Sequence, residues 1–355
     1  MRHDKWGNLV CTHTNDGSTE KGNKSMTEIA RLAKSFELVA EYRMMSYSGF
    51  TFKSLPRLIA GAVEYQFLPY YFSDVPSWRL GLRRLGGKRV LPDFAMIGPV
   101  KSASSDLVTH MLLHPNVLAP LAKEILSPDP ESWRPYYPTV REMDAVRQLH
   151  GKAITGFLAP YMHWMRLAHN FKTTCPDAKI IITLRDPAKR AYSHWKWELF
   201  LGGRNIEKLA YFMNFSDYVR SSLENFPLPA DTVCGLPMLH SGIYANAVAM
   251  WVKLFGQANV LVLDVNDYFR DRQETLGQIC DFLQIPHAHI LENEGRINEN
   301  PLELPPPTEE ASDSLARFYE PFNDQLFEII KKRFDWGTAQ PVSHRQVRRK
   351  GSGEV

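Results

Sequence analysis

The sequence predicts an α/β fold in which a central parallel sheet is flanked by helices. Four short apolar runs have the length of strands and lack polar alternation: DFAMIG (93–98), AITGFL (153–158), KIIITL (179–184) and NVLVLD (259–264). Such runs are typical of parallel strands that are covered on both faces. Helical patterns follow them, at Ser104–Leu113, Pro187–Phe200, Tyr244–Phe255, Gln273–Leu283 and about Glu310–Arg333. This alternation of strands and helices indicates an α/β domain.

The segments around this domain differ from it in composition. Ser25 and Glu28 stand at capping-box spacing, which predicts a helix over about residues 27–45. We expect four parts along the chain: a disordered N-terminus (1–25), a helical extension (26–90), one folded domain (91–338) and a basic flexible tail (339–355).

The composition excludes several classes of protein. The four cysteines are far apart and none stands in a C-x-x-C pair, which excludes a zinc knuckle and argues against a disulfide-rich secreted scaffold. The 41 aromatic residues exclude disorder across the whole chain of 355 residues. We expect no metal site.

The net charge of +3 belongs to the tail of the chain. The last fifteen residues contain four basic residues and one acidic residue, so the other 340 carry 38 of each sign. We therefore expect no nucleic-acid partner, which would require a basic folded face.

The most apolar stretch, 55–72, contains Arg57, and such a charge costs about 2.5–3.5 kcal/mol at mid-bilayer, so we expect no membrane-spanning segment. Residues 1–25 do not resemble a signal peptide, which favours a cytoplasmic location.

The first chemical motif lies between the first predicted strand and the helix after it. The strand ends at Gly98, a short loop carries Lys101, Ser102 and Ala103, and a helix begins near Ser104 or Ser105. Unpaired N–H groups, a helix dipole, hydroxyls and one ammonium converge there, which suits a phosphate or a sulfate group. An ordinary βα loop with a serine cap remains an equal alternative for this motif alone. The triphosphate-binding pattern G-x-x-x-x-G-K-[ST] fails, because Val100 precedes the lysine.

The second motif follows a later strand. Arg185 comes directly after Leu184, at the strand end where open α/β sheets bind ligands. Asp186-Pro187 opens a helix, and Ser193 lies about two turns inside it. The arginine fork and the serine hydroxyl form a reasonable pair for a terminal phosphate. Alternatively, Arg185 pairs with Asp186 or with another carboxylate.

Together the two motifs resemble the sulfotransferases that use 3′-phosphoadenosine 5′-phosphosulfate (PAPS), closest to the heparan-type and related bacterial carbohydrate enzymes. The likeness covers about residues 93–337, and it includes L-x-x-H-P-x-V at 113–117 and F-L-x-I-P at 282–286. It implies a single P-loop-like domain, PAPS as sulfo donor and adenosine 3′,5′-bisphosphate as product, without a metal.

The resemblance also implies roles for individual residues. Lys101 would contact the bridging and terminal oxygens of the donor, and a late glycine–arginine loop would close over the nucleotide. Arg185 and Ser193 would hold the 3′-phosphate. The residues implied for the 5′-phosphate are Ser102, Ser104 and Ser105 with the backbone of Ala103, and those implied for the late loop are Gly295 and Arg296.

The general base implied by the resemblance is a glutamate shortly after the H-P segment, which corresponds to Glu124. A solvent-facing pair of Lys123 with Glu124 is the alternative for this residue. Cytosolic members of the superfamily use a histidine instead, so the reserve candidates are His163, His169 and His194.

The sequence departs from the family pattern mainly at positions that touch the acceptor. The aromatic pair after the glutamate is replaced by Leu126-Ser127, and the acidic–lysine pair before Pro160-Tyr161 is missing. In the donor loop, Ala103 replaces a glycine, so a positive φ there would be strained. We therefore expect a small polar metabolite or natural product as acceptor, with a hydroxyl or an amine as target. The alternatives are a glycan acceptor, a P-loop kinase and a nucleotide-binding module without catalysis, and the oligomeric state is left open.

Overall fold

The computed structural model describes residues 2–3, 9–10 and 75–336, apart from positions 113, 126, 128, 161, 201–212, 228–236 and 289–301. Arg2–His3 and Leu9–Val10 pair as two short antiparallel strands. The predicted helix over 27–45 and the predicted tail lie outside the described residues. No helix within the described part of the chain is long and apolar enough to cross a membrane.

A five-stranded parallel sheet forms the centre of the described domain. Its strands are β1 (Phe94–Ile97), β2 (Val117–Leu118), β3 (Ile154–Ala159), β4 (Lys179–Leu184) and β5 (Val260–Asp264). Their order in space is β2-β3-β1-β4-β5, so β1 lies in the middle. The predicted parallel α/β architecture is confirmed.

Ten α-helices are described, and several of them connect the strands as crossovers. They are α1 (Ser77–Leu85), α2 (Ser104–Leu112), α3 (Val140–His150), α4 (Met165–Thr174), α5 (Pro187–Phe200), α6 (Phe215–Glu224), α7 (Ala245–Phe255), α8 (Val265–Arg270), α9 (Arg272–Leu283) and α10 (Glu309–Ile330). Short 3₁₀ helices occupy Pro130–Tyr136, His240–Gly242 and Gln257–Asn259.

Alternate residues of β1 supply two hydrophobic cores on opposite faces of the sheet. Ala95 and Ile97 pack into a cluster that contains Trp133, whereas Phe94 and Met96 pack into a second cluster. All four strand residues are at most 1% exposed. Full burial of a large apolar side chain contributes about 1.5–3 kcal/mol, so both faces stabilise the sheet.

The four apolar runs form strands within one residue of their predicted bounds, and the structure adds elements that the sequence pattern did not reveal. β2 has only two residues, which is too short to produce a pattern. The helix α3 had a readable signal, because Thr139 and Glu142 form a capping box at its start. The helices α4, α6 and α8 were likewise not predicted, whereas α1 lies within the predicted helical extension.

Candidate functional site

The ends of neighbouring strands bring the two sequence motifs to one edge of the sheet. Ile97 pairs with Ala159 of β3 and with Ile182 of β4, so the loop after β1 lies between the ends of β3 and β4. Lys101 lies in this loop, and Arg185 directly follows β4. The Arg185 Nη1 donates to the Lys101 carbonyl oxygen at 3.4 Å. The two motifs therefore meet at the carboxyl edge, where open parallel sheets bind ligands.

The loop between β1 and α2 has an unusual backbone. Lys101 and Ala103 have φ angles of 73° and 55°, in a region that costs a non-glycine residue about 1–2 kcal/mol. A Cβ atom at Gly98 would lie 2.6 Å from the Thr183 carbonyl oxygen, so only glycine fits without a shift. Left-handed turns of this kind direct N–H groups into a concavity that binds anions. Alanine thus keeps the strained conformation for which glycine is the usual residue.

The loop hydroxyls differ in where they point. Ser102 is fully buried, and its Oγ donates to the Pro99 carbonyl oxygen at 2.8 Å and lies 3.2 Å from the Thr183 Oγ1. Its side chain therefore stabilises the loop from inside, which leaves its backbone N–H as its means of contacting a ligand. Ser105, in the first turn of α2, accepts from the Lys123 Nζ at 2.8 Å. The side chain of Ser104 is not among those that the structure describes.

The Lys101 ammonium is packed against an aromatic ring. Its Nζ lies 4.1 Å from the centre of the Trp197 ring on α5, a cation–π contact that orients the ammonium. The sequence interpretation missed Trp197. Its only signal was its place in the aromatic-rich segment that follows Arg185.

Arg185 directly precedes the Asp186-Pro187 start of α5, and Ser193 lies on that helix. The Arg185 carbonyl accepts from the Tyr244 hydroxyl at 2.9 Å. Asp186 does not serve mainly as a partner of Arg185, because its Oδ1 accepts from the backbone N–H groups at the start of α5, that of Ala188 at 2.9 Å among them. Ser193 is half-buried on α5, in the second turn, as the sequence pattern predicted.

Glu124 lies in a buried pair rather than on the surface. Its Oε1 is 2.6 Å from the Lys123 Nζ, and the two side chains are 12% and 0% exposed. The alternative of a solvent-facing pair is thus wrong. Because Lys123 also donates to Ser105, the candidate base is connected to the first turn of α2.

The histidine candidates occupy different environments. Burial lowers the pKa of His163 to about 4, so its ring is neutral at physiological pH, and its Nε2 lies 3.4 Å from the Ser241 carbonyl oxygen. Burial also lowers the pKa of His194, which accepts from Arg190 and donates to Glu198, both at 3.1 Å. His169 is exposed on α4.

Arg190, His194 and Glu198 form a buried polar ladder along α5. Their i, i+4, i+8 spacing could have revealed it in the sequence, and the sequence interpretation missed it. Gly295 and Arg296 lie outside the described residues.

A separate cavity of about 290 Å³ lies at the opposite, amino edge of the sheet. Its lining includes Asp93, Lys152, Cys175 and Lys179. Burial raises the pKa of the Asp93 carboxyl, and it raises that of the Cys175 thiol to about 12. None of the residues implied by the two motifs lines this cavity.

Comparison with known proteins identifies the family of the chain. Residues 92–300 match the family described as "Sulfotransferase domain". Mouse carbohydrate sulfotransferase 15 is 25% identical over 322 residues, which cover 70% of this chain and 55% of that protein. Mouse bifunctional heparan sulfate N-deacetylase/N-sulfotransferase 3 is 27% identical over 219 residues, which cover 57% of this chain and 23% of that protein. The chain thus spans about half of the first relative and a quarter of the second.

A solved structure supports the fold. The sulfotransferase from Alicyclobacillus acidocaldarius has a TM-score of 0.50 and 23% identity, and the match covers 69% of this chain and 98% of that one. The family match spans more than half of the 355 residues. On this match, the chain belongs to the sulfotransferase family.

Proposed function

We propose that this chain transfers a sulfo group from PAPS to a hydroxyl or an amine of a small polar metabolite. The observation that carries the proposal is the contact between Arg185 and the Lys101 carbonyl, with Lys101 in a left-handed turn. An arginine fork beside a lysine-bearing loop offers two separate anion sites at one edge. A nucleotide with phosphates at both its 3′ and 5′ positions requires such a pair.

The described residues fit the donor. The Arg185 fork and the Ser193 hydroxyl would hold the 3′-phosphate, whereas the N–H groups of the left-handed loop and the Ser105 hydroxyl would hold the 5′-phosphate. When bound, the donor supplies an activated sulfo group on a phosphate leaving group. Lys101 would neutralise the charge that develops on the leaving oxygen, as in related phosphoryl transfer.

Glu124 would accept the proton of the acceptor. Its carboxylate is fixed by Lys123 and is connected through it to Ser105 in the donor loop. A positioned base of this kind contributes typically about 10²–10⁴-fold to the rate. His163 is the reserve candidate, because its ring is neutral at physiological pH, but its lowered pKa makes it a weaker base than a free imidazole.

The donor assignment is tested by calorimetry with two nucleotides. The chain should bind adenosine 3′,5′-bisphosphate far more tightly than adenosine 5′-monophosphate. Loss of a charge-assisted contact costs about 1.5–3 kcal/mol, so Arg185→Ala should weaken bisphosphate binding by about tenfold or more. Arg141→Ala, at an exposed position on α3, is the matched control and should leave it unchanged. Equal affinity of the unmodified protein for the two nucleotides would contradict the 3′-phosphate site.

A carbohydrate acceptor is the second candidate, because both curated relatives named above carry carbohydrate substrates in their names. A panel of small polar metabolites and sugars, read by mass spectrometry for an added sulfo group, separates the two. Transfer that persists in excess chelator argues against a magnesium-dependent kinase. Conversion of the donor to the bisphosphate argues against a binding module without catalysis.

A further inference from the structure

Lys123 holds a buried ammonium between the candidate base and the donor loop. Its side chain is 0% exposed, and its Nζ lies 2.6 Å from the Glu124 Oε1 and 2.8 Å from the Ser105 Oγ. An ammonium removed from water is costly unless it is paired and hydrogen-bonded. Both contacts therefore stabilise the folded state, and neither is a surface ion pair of small value.

The backbone fixes this ammonium at the carboxyl edge. The Lys123 carbonyl accepts from the Leu158 N–H at 3.2 Å, one residue before the end of β3. Ser105 is the second residue of α2, which begins directly after the left-handed loop. Lys123 thus joins the end of strand β3 to the start of the helix whose N–H groups face the predicted 5′-phosphate.

We propose that Lys123 is a charge-compensating residue that exchanges its anionic partner during transfer, from the Glu124 carboxylate to the 5′-phosphate beside Ser105. The proposal rests on the proposed function. A serine hydroxyl that accepts from an ammonium is polarised by it, which makes the hydroxyl a stronger hydrogen-bond donor toward an anion that binds beside it. Ser105 therefore transmits the pull of the ammonium to a phosphate oxygen at the start of α2.

The charges balance through the step. The acceptor oxygen forms a bond to sulfur, and its proton goes to the Glu124 carboxylate, which becomes neutral. The bond from sulfur to the bridging oxygen breaks, and its electron pair stays on that oxygen, so the 5′-phosphate gains one negative charge. Lys123 lies between the place where a negative charge is lost and the place where one is gained. The ammonium therefore keeps a negative partner throughout the step. This stabilises the transition state, in which the negative charge moves from the carboxylate to the phosphate.

A binding experiment tests this exchange without requiring turnover. Glu124→Gln removes the carboxylate and leaves the ammonium, so this variant should bind adenosine 3′,5′-bisphosphate about tenfold more tightly than the unmodified protein. Adenosine 3′-monophosphate, which lacks the 5′-phosphate, should show no gain. The double variant Lys123→Met, Glu124→Gln has no ammonium and should return to within about twofold of the original bisphosphate affinity. Calorimetry measures all three.

The outcomes separate this inference from the proposed function. If the unmodified protein binds neither nucleotide, the proposed function fails. If it binds the bisphosphate but Glu124→Gln brings no gain, or the gain persists in the double variant or extends to the 3′-monophosphate, the exchange is overturned and the donor site stands. Should Glu124→Gln be unstable, a thermal melt gives the same comparison, because the bisphosphate should stabilise it more than the 3′-monophosphate does.

Discussion

The two edges of the central sheet carry charged residues of the same kinds and use them differently. At the amino edge, Lys152 donates to the carbonyl oxygens of Leu283 and Gln284, both at 2.9 Å, and the Asp93 Oδ2 accepts from the Thr155 N–H at 2.8 Å. These two side chains bond backbone groups and tie the end of α9 and the start of β3 together, whereas the Lys179 Nζ donates to the Asn259 Oδ1 at 2.7 Å and lies 5.1 Å from the centre of the Phe282 ring.

At the carboxyl edge, one lysine also contacts an aromatic ring, but a second lysine forms a buried pair with a carboxylate. Lys101 lies over Trp197 of α5, and Lys123 joins Ser105 of α2 to Glu124. The loop of this edge has two left-handed non-glycine residues, Lys101 and Ala103, whereas the amino edge has one, Gln284 at a φ of 55°. The carboxyl edge thus differs from the amino edge, which carries the 290 Å³ cavity, in its buried lysine–glutamate pair and in two left-handed residues within one loop.

The largest contrast is expected when one lysine is removed from each edge. Lys101→Ala should lower turnover by at least about 100-fold and weaken bisphosphate binding by less than tenfold, because the charge it meets develops in the transition state. Lys152→Ala, the matched control, should leave turnover unchanged and lower the free energy of unfolding by about 1 kcal/mol. Steady-state kinetics with urea unfolding measures both, and equal loss of turnover in the two variants would remove the distinction between the edges.

The second contrast concerns the pH dependence of stability. Burial lowers the pKa of His163 from 6.5 to about 4, so the unfolded chain binds more protons between these values and acidification through this window destabilises the fold. Burial raises the pKa of Asp93 from 3.8, so its contribution is present below that value and is lost as the pH rises through the higher one in the folded state.

Variants at the two edges should therefore change the pH profile in opposite senses. His163→Gln should reduce the loss of stability as the pH falls from 6.5 to 4. Asp93→Asn should reduce the loss of stability as the pH rises above 3.8. The measurement is the free energy of unfolding in urea across this range. His169→Gln, at an exposed position, is the control. A profile for His163→Gln parallel to that of the unmodified protein would show that this ring is not held neutral by the fold.

The smallest contrast uses one left-handed residue near each edge. Ala103→Gly relieves a φ of 55° in the donor loop and should raise the free energy of unfolding by up to about 1 kcal/mol. Gly151→Ala introduces a side chain at a φ of 75°, at the end of α3 and before β3, and should lower it by about 1 kcal/mol. Thermal melts check both. A lower melting temperature for Ala103→Gly would mean that alanine contributes packing that outweighs the strain.

The fold was readable from the sequence where burial leaves a pattern. The continuous apolar run of β4 and the proline at the start of α5 gave the bounds that the structure has. The two residues of β2 left no pattern.

The site was readable only in part. Lys101 and Arg185 each follow a predicted strand, which indicated that they lie at the same edge of the sheet. The dipeptide Lys123-Glu124, in contrast, gives no sign in the sequence of whether it is exposed or buried. The burial of Lys123 depends on its contact with β3, and the inward hydroxyl of Ser102 depends on the close approach of Gly98 to Thr183. Such tertiary contacts have no local signature. The roles of Lys101, Glu124, Arg185 and Ser193, the cytoplasmic location and the domain bounds stay predictions.

The outer side of β3 is covered in two separate pieces. Leu118 pairs with Thr155 near the start of the strand, and Lys123 meets Leu158 near its end, with residues 119–122 between them. A long, continuous edge strand is a template on which other chains add strands and aggregate. This edge instead presents two paired residues and then a break. The interruption that delivers the lysine–glutamate pair to the carboxyl edge thus also limits the edge strand β2 to two residues, which is a short template for strand addition.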